Sequence, residues 1–199
     1  MAADPLNQVS LGTEHFEHRG ITNGCRYWYT REGDGVGLYY CGLPPDLPRK
    51  QKTTDAFISH YLARLSENGI EASIESVAEM PAVMALVKVA QEPAGFAYLG
   101  TYIFPFRDSS YVIKIQCEER GTTGIREAIL FDRHLSNGGT SLGNSGNTSD
   151  GFSPDDAIYD DEFPDHPLSR CRRGLRYIKS SITFADAVRQ LPSFELPGE

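Results

Sequence analysis

The sequence predicts an α+β protein in which a mostly antiparallel sheet packs with helices. Three observations carry that expectation. Between Ile70 and Glu118, apolar residues recur with period two in four runs separated by short turns. Two segments, one around residues 54–68 and one opening at Pro167, instead carry apolar residues at helical spacing. An aromatic content of 11%, with ten Tyr and ten Phe, suits strands, where flat and branched side chains pack well on a pleated surface.

The elements follow in order. Arg26-Tyr27-Trp28-Tyr29-Thr30 and Gly37-Leu38-Tyr39-Tyr40-Cys41 flank the turn Glu32-Gly33-Asp34-Gly35, which predicts a hairpin. Leu43-Pro44-Pro45-Asp46-Leu47-Pro48 ends regular structure. Phe57, Ile58, Tyr61, Leu62 and Leu65 make one apolar stripe, with Thr53 or Thr54 as cap and Asn68-Gly69 as stop. The four runs to Glu118 then form an antiparallel meander, broken at Met80-Pro81, Glu92-Pro93 and Arg107-Asp108-Ser109. A second helix follows Gly121-Thr122-Thr123, with Ile125, Ala128, Ile129 and Leu135 expected on its buried side. Residues 136–153, rich in Gly, Ser and Asn, read as a flexible insertion. The third helix opens with proline at a tolerated position and buries Leu168, Cys171, Leu175 and Ile178. Its Arg170, Arg173 and Arg176 project from the other side, with Arg172 and Lys179 nearer the edge. Ile182 to Phe184 adds a short strand, and a poorly ordered tail is expected from about residue 192.

The 199 residues read as one domain spanning 1–199, long enough to bury a core without disulfides or a structural metal. The net charge of -8 argues against nucleic-acid binding, which needs Lys and Arg on phosphates, and against an anionic membrane surface. It leaves room for a basic protein partner. The start Met-Ala-Ala-Asp-Pro-Leu-Asn-Gln lacks the basic and apolar regions of a signal peptide, so a cytoplasmic location is expected. In that compartment Cys25, Cys41, Cys117 and Cys171 are expected as free thiols.

The motifs point to no definite chemistry. His15-x-x-His18 lacks a second ligand pair at metal spacing, so no metal and no cofactor is expected. Asp132 and His134 stand two apart, which on a helix puts them on different faces, and the helix dipole accounts for a histidine near the C-terminus. Cys117 continues the inward series Tyr111, Ile113, Ile115 and reads as core. Asn147 to Gly151 lacks the acidic ligands of a calcium loop. Neither a GxSxG turn nor a phosphate loop with its lysine occurs. Arg126-Glu127, after Thr122-Thr123-Gly124, reads as a charged pair fixing the second helix. The acidic run Asp150, Asp155, Asp156, Asp160, Asp161, Glu162 and Asp165 is either a solvated segment or a strap paired with the arginines of the third helix.

The order hairpin, helix, four-strand meander, helix over residues 26–135 resembles the Mog1/PsbP-like fold. The residues that carry the resemblance are the helix 55–67, Gly95-Phe96-Ala97-Tyr98-Leu99-Gly100-Thr101-Tyr102, and Tyr111-Val112-Ile113-Lys114-Ile115-Gln116. Thr123-Gly124-Ile125-Arg126-Glu127 is similar to a segment of bacterial proteins of this shape. The insertion and the arginine-bearing last helix depart from the compact pattern. Proteins of this fold include a small-GTPase regulator, a photosystem-associated subunit and adaptor-chaperones of type VI secretion effectors. The resemblance therefore implies a bacterial source and a non-enzymatic binding role, that of an immunity protein or effector-associated chaperone.

The expected partner surfaces are the sheet face around Tyr98 and Tyr102, taken as exposed, and the acidic residues Asp155, Asp156, Asp160, Asp161 and Glu162. Sheet edges also allow a homodimer. Two alternatives stay open: a small-ligand module closed by the long loop, and a hydrolase of unrecognised type using His134 or Glu127.

Overall fold

Alternating apolar residues do produce the long antiparallel strands. The computed structural model describes residues 4–12, 14–22, 24–65, 68–140 and 150–197, apart from the side chains of His18 and Arg19. A single helical turn, Pro5–Gln8, leads into β1 (Val9–Ser10). There follow β2 (Phe16–Thr22), β3 (Cys25–Thr30), β4 (Gly35–Cys41) and α1 (Thr54–Leu65). The meander comprises β5 (Gly69–Val77), β6 (Met80–Ala90), β7 (Phe96–Pro105) and β8 (Ser110–Glu118). The chain ends with α2 (Ile125–Ser136), α3 (Pro167–Ser181), β9 (Thr183–Phe184) and α4 (Asp186–Arg189).

One seven-stranded sheet runs in the order β2-β3-β4-β8-β7-β6-β5, and β1 pairs separately with β9. Every neighbouring pair in the large sheet is antiparallel. One face is covered at the centre of the sheet and the other only toward the β5 edge, which leaves Lys114 and Gln116 of central β8 exposed. On one face α3 lies against β7 and β8, burying Leu168, Cys171, Leu175 and Ile178 with Tyr98, Tyr102, Ile113 and Ile115. On the other, Phe57 and Tyr61 of α1 pack with Leu47, Val83, Ala85, Phe194 and Leu196.

Two glycines set how closely α3 approaches the sheet. A Cβ at Gly100 would stand 2.8 Å from Leu175 Cγ and 2.9 Å from Cys171 Sγ, and one at Gly174 would meet Ile115 Cδ1 at 2.1 Å. Only the missing side chains let helix and strands touch.

Two expectations are corrected. Residues 192–197 are packed: the Arg107 amide donates to the Pro192 carbonyl, Ser193 bridges Phe106, and Phe194 and Leu196 are buried under α1. The two prolines suggested a loose tail, but two large apolar side chains are enough to anchor it. Second, Ile125, Ala128, Ile129 and Leu135 of α2 face outward, and the helix buries Arg126 and Leu130 instead. Phe16–Thr22 is an edge strand, and His15 just before it is exposed and edges onto the Tyr177 ring. The expected flexible insertion falls largely on residues 141–149, outside the description.

Among the described residues, no helix is long and apolar enough to cross a membrane. The four cysteines are free, with Cys41 exposed and the rest buried. A thiol reagent is therefore expected to label Cys41 rapidly and the other three only on unfolding. Rapid native labelling of Cys117 would contradict this packing.

Candidate functional site

A buried charge network joins the end of the meander, α2, the acidic segment and the start of α3. Its first half centres on Arg126, whose side chain has no solvent exposure. Arg126 Nε donates to the Pro154 carbonyl (2.8 Å) and Nη2 to that of Asp156 (2.9 Å). Nη1 donates to Asp160 Oδ1 (3.0 Å) and Ser169 Oγ (2.9 Å). Arg172 reaches the same Asp160 oxygen at 3.0 Å, the Asp155 carbonyl at 2.7 Å and Glu71 Oε1 at 3.2 Å. Arg170 forks onto buried Asp34 at 2.9 and 3.0 Å, tying α3 to the turn before β4. The acidic strap is thus held down by arginines of α3, as one sequence reading allowed, with Arg126 of α2 as an addition.

The second half is polar and less satisfied. Lys88 and Tyr98 are cross-strand partners on β6 and β7. Lys88 Nζ donates to Glu127 Oε1 (2.7 Å) and to Asp155 Oδ1 (3.3 Å), and Tyr98 Oη donates to Glu127 Oε1 (3.2 Å). Glu119, just past β8, accepts the Phe96 amide on Oε2 (2.8 Å) and the Gly124 amide on Oε1 (3.0 Å). Gly124 sits at φ 73°, the left-handed region that glycine enters without strain, and this turn starts α2. His166 caps α3 by accepting the Leu168 amide on Nδ1 (3.3 Å). Its Nε2 lies 3.7 Å from Glu119 Oε1 and 4.0 Å from Glu127 Oε2. Neither Nε2 nor Glu127 Oε2 has a hydrogen-bond partner among the described residues.

The electrostatics follow from this placement. Burial pushes the Glu127 carboxyl up, but the Lys88 ammonium outweighs it and the net pKa is lowered. Burial drives the His166 pKa down to about 4, so the imidazole is neutral at pH 7. Burial and the adjacent Glu127 raise the Tyr98 phenol, which stays protonated. The contact with Cys171 and burial raise the Cys117 thiol, which removes it as a nucleophile.

The residues expected to meet a partner divide accordingly. Tyr98 and Tyr102 are buried, not exposed: α3 covers that sheet face, and their hydroxyls donate to Glu127 and Glu75. Asp155 and Asp160 turn inward onto Lys88, Arg126 and Arg172. Asp156, Asp161 and Glu162 remain exposed, Glu162 paired with Arg133 on α2. His134 stacks on Phe152, with Nε2 3.0 Å from Asp150 Oδ2. Sequence reasoning missed Lys88, Glu119 and His166. A lysine interrupting the apolar run of β6 and a histidine directly before Pro167 were the available signals.

Above this network runs a groove of about 340 Å³, lined by Ile125, Phe163 and Pro164 together with Glu162, Asp165 and His166. Ile125, Ile129 and Leu135 are between 44% and 50% exposed on the same helix. The outer side of α2 therefore presents three large apolar side chains beside exposed Asp132 and Arg133, with further exposed acids at its border.

No protein-family model matches this chain, and no match to a curated protein was found. A crystal structure from Bacteroides thetaiotaomicron VPI-5482 is similar with a TM-score of 0.38 and 9% identity, over 59% of this chain and 41% of its own. This chain thus spans less than half the length of that structure, and the likeness is too distant to carry a fold or a function.

Proposed function

We propose that this chain is a non-enzymatic protein-binding module that docks a basic, amphipathic partner on the outer face of α2. The supporting observation is the inverted helix, whose charged Arg126 and Glu127 face the core while Ile125, Ala128, Ile129 and Leu135 face out. Each of the three large apolar side chains is already about half buried, so covering the rest is worth about 1 kcal/mol apiece, a contribution to the core of an interface. Exposed Asp156, Asp161 and Asp165 favour a partner carrying Lys or Arg beside its own apolar residues. A second copy of this chain fits less well, because a two-fold contact on this face would set those acids against themselves.

The order β3-β4-α1-β5-β6-β7-β8-α2 supports the Mog1/PsbP-like assignment. On that reading the chain is an immunity protein or effector-associated chaperone that occludes or stabilises its partner. A hydrolase stays a second reading on one observation: Glu127 meets Lys88, Tyr98 and His166 and does not lie on open surface.

The test is affinity capture from the source cells with the native chain and an Ile125→Asp/Ile129→Asp variant, washed at rising salt. Both positions are exposed, so the variant should melt within a degree or two of the native chain. One partner is expected, retained by the native chain, weakened by salt and at least tenfold weaker on the variant. A partner held equally by both proteins would sink the assignment of this face.

A further inference from the structure

We propose that Glu119, Glu127 and His166 form a binding site for a divalent metal ion of the zinc class. One ligand atom from each residue, Glu119 Oε1, Glu127 Oε2 and His166 Nε2, lies within 4.8 Å of the other two. This is not merely an acidic cluster. The His166 side chain is 8% exposed, and its Nε2 faces both carboxylates without a hydrogen-bond partner among the described residues. Glu127 Oε2 is equally unpartnered, and a buried carboxylate oxygen left so is costly. Two carboxylates converging on one spot repel unless a cation stands between them. Lys88 does not fill that place, since it binds the far oxygen of Glu127.

The ligand set suits the ion. Zinc accepts one imidazole nitrogen and two carboxylate oxygens at about 2.0–2.2 Å, and open sites keep three protein ligands with one position free. The separations of 3.7 and 4.0 Å must close by several tenths of an ångström, which rotation of Glu127 and His166 can supply because neither free atom has a bond to lose. Glu119 Oε1 can keep the Gly124 amide on one lone pair and offer the other to the metal. Lys88 and Tyr98 on Glu127 Oε1 would orient that ligand, the usual part of groups one bond removed from a metal. The fourth position opens to the groove, which Glu119 and His166 line.

The proposal carries a distinctive consequence for the proton. His166 Nδ1 now accepts the Leu168 amide, so a neutral ring carries its proton on Nε2. Ligation through Nε2 moves that proton to Nδ1 and breaks the cap of α3. Bound zinc should therefore switch the His166 tautomer.

The test uses the full chain stripped of metal and titrated with zinc, with manganese as a second ion, by calorimetry. One equivalent of zinc is expected to bind, at least tenfold more weakly in Glu127→Gln and in His166→Asn and unchanged in His15→Asn. Nitrogen-15 spectra of the native chain should show the His166 proton moving to Nδ1 on adding zinc, a readout that does not depend on any variant folding. Absence of binding, equal binding by His166→Asn, or a proton remaining on Nε2 at saturating zinc would each overturn the site.

Discussion

Replacing Arg126 with methionine is expected to cost about 3–5 kcal/mol of folding stability, the usual scale for removing one partner of a buried ion pair. Methionine fills much of the volume but provides no donor. The Pro154 and Asp156 carbonyls then lose the donor that binds them, and Asp160 keeps Arg172 and the Ser169 hydroxyl but loses one of its two arginines. A domain of this size has about 5–15 kcal/mol in total, so the loss is a large share. Urea unfolding of both proteins measures it. Arg133→Met is the comparison: Arg133 lies on the exposed side of the same helix and pairs with exposed Glu162, so its loss should leave the unfolding midpoint nearly unchanged. Equal effects at 126 and 133 would mean that the inward network does not hold α2.

A side chain at Gly100 should be nearly as damaging for the opposite reason. The position is in a strand, where adding a methyl group ordinarily gains a few tenths of a kcal/mol by restricting the unfolded chain. Here the new Cβ would overlap Leu175 and Cys171, both buried on α3. Gly100→Ala is expected to lose about 1–3 kcal/mol, and Gly100→Val more, as α3 is pushed off the sheet. Combining Gly100→Ala with Leu175→Ala should cost less than the sum of the single changes, because the second opens the space the first needs. Strict additivity would contradict the contact.

The meander was legible because each of its strands alternates, and period two has one structural meaning. Which face of β7 met solvent was not legible. Tyr98 and Tyr102 share a face in either case, and only the docking of α3, from a segment more than sixty residues later, decides that it is buried. The orientation of α2 was misread for a related physical reason. Apolar spacing places isoleucine and leucine inward, and that rule holds when the polar residues have nothing better than water. Arg126 and Glu127 do have something better. Their partners Lys88, Asp160 and Ser169 stand 39, 34 and 43 residues away, too far in sequence for any local pattern to register. The same distance hid the candidate metal site, whose ligands come from a strand end, a helix start and a helix cap. What the sequence did show was the charge inventory: an acidic strap followed by an arginine-rich helix, which the structure joins.

The proposed docking face exists only if the Ile125 and Ile129 side of α2 faces out. Single cysteines introduced as Ile125→Cys, Ile129→Cys and Leu130→Cys, each with Cys41→Ser to silence the exposed native thiol, test this in the chain alone. Labelling at 125 and 129 should run at the rate of a free thiol. Labelling at 130 should be at least a hundredfold slower, since it needs a local opening of the helix. Fast labelling at 130 with protection at 125 and 129 would mean that the helix buries its apolar side after all, and the proposed docking face would be gone.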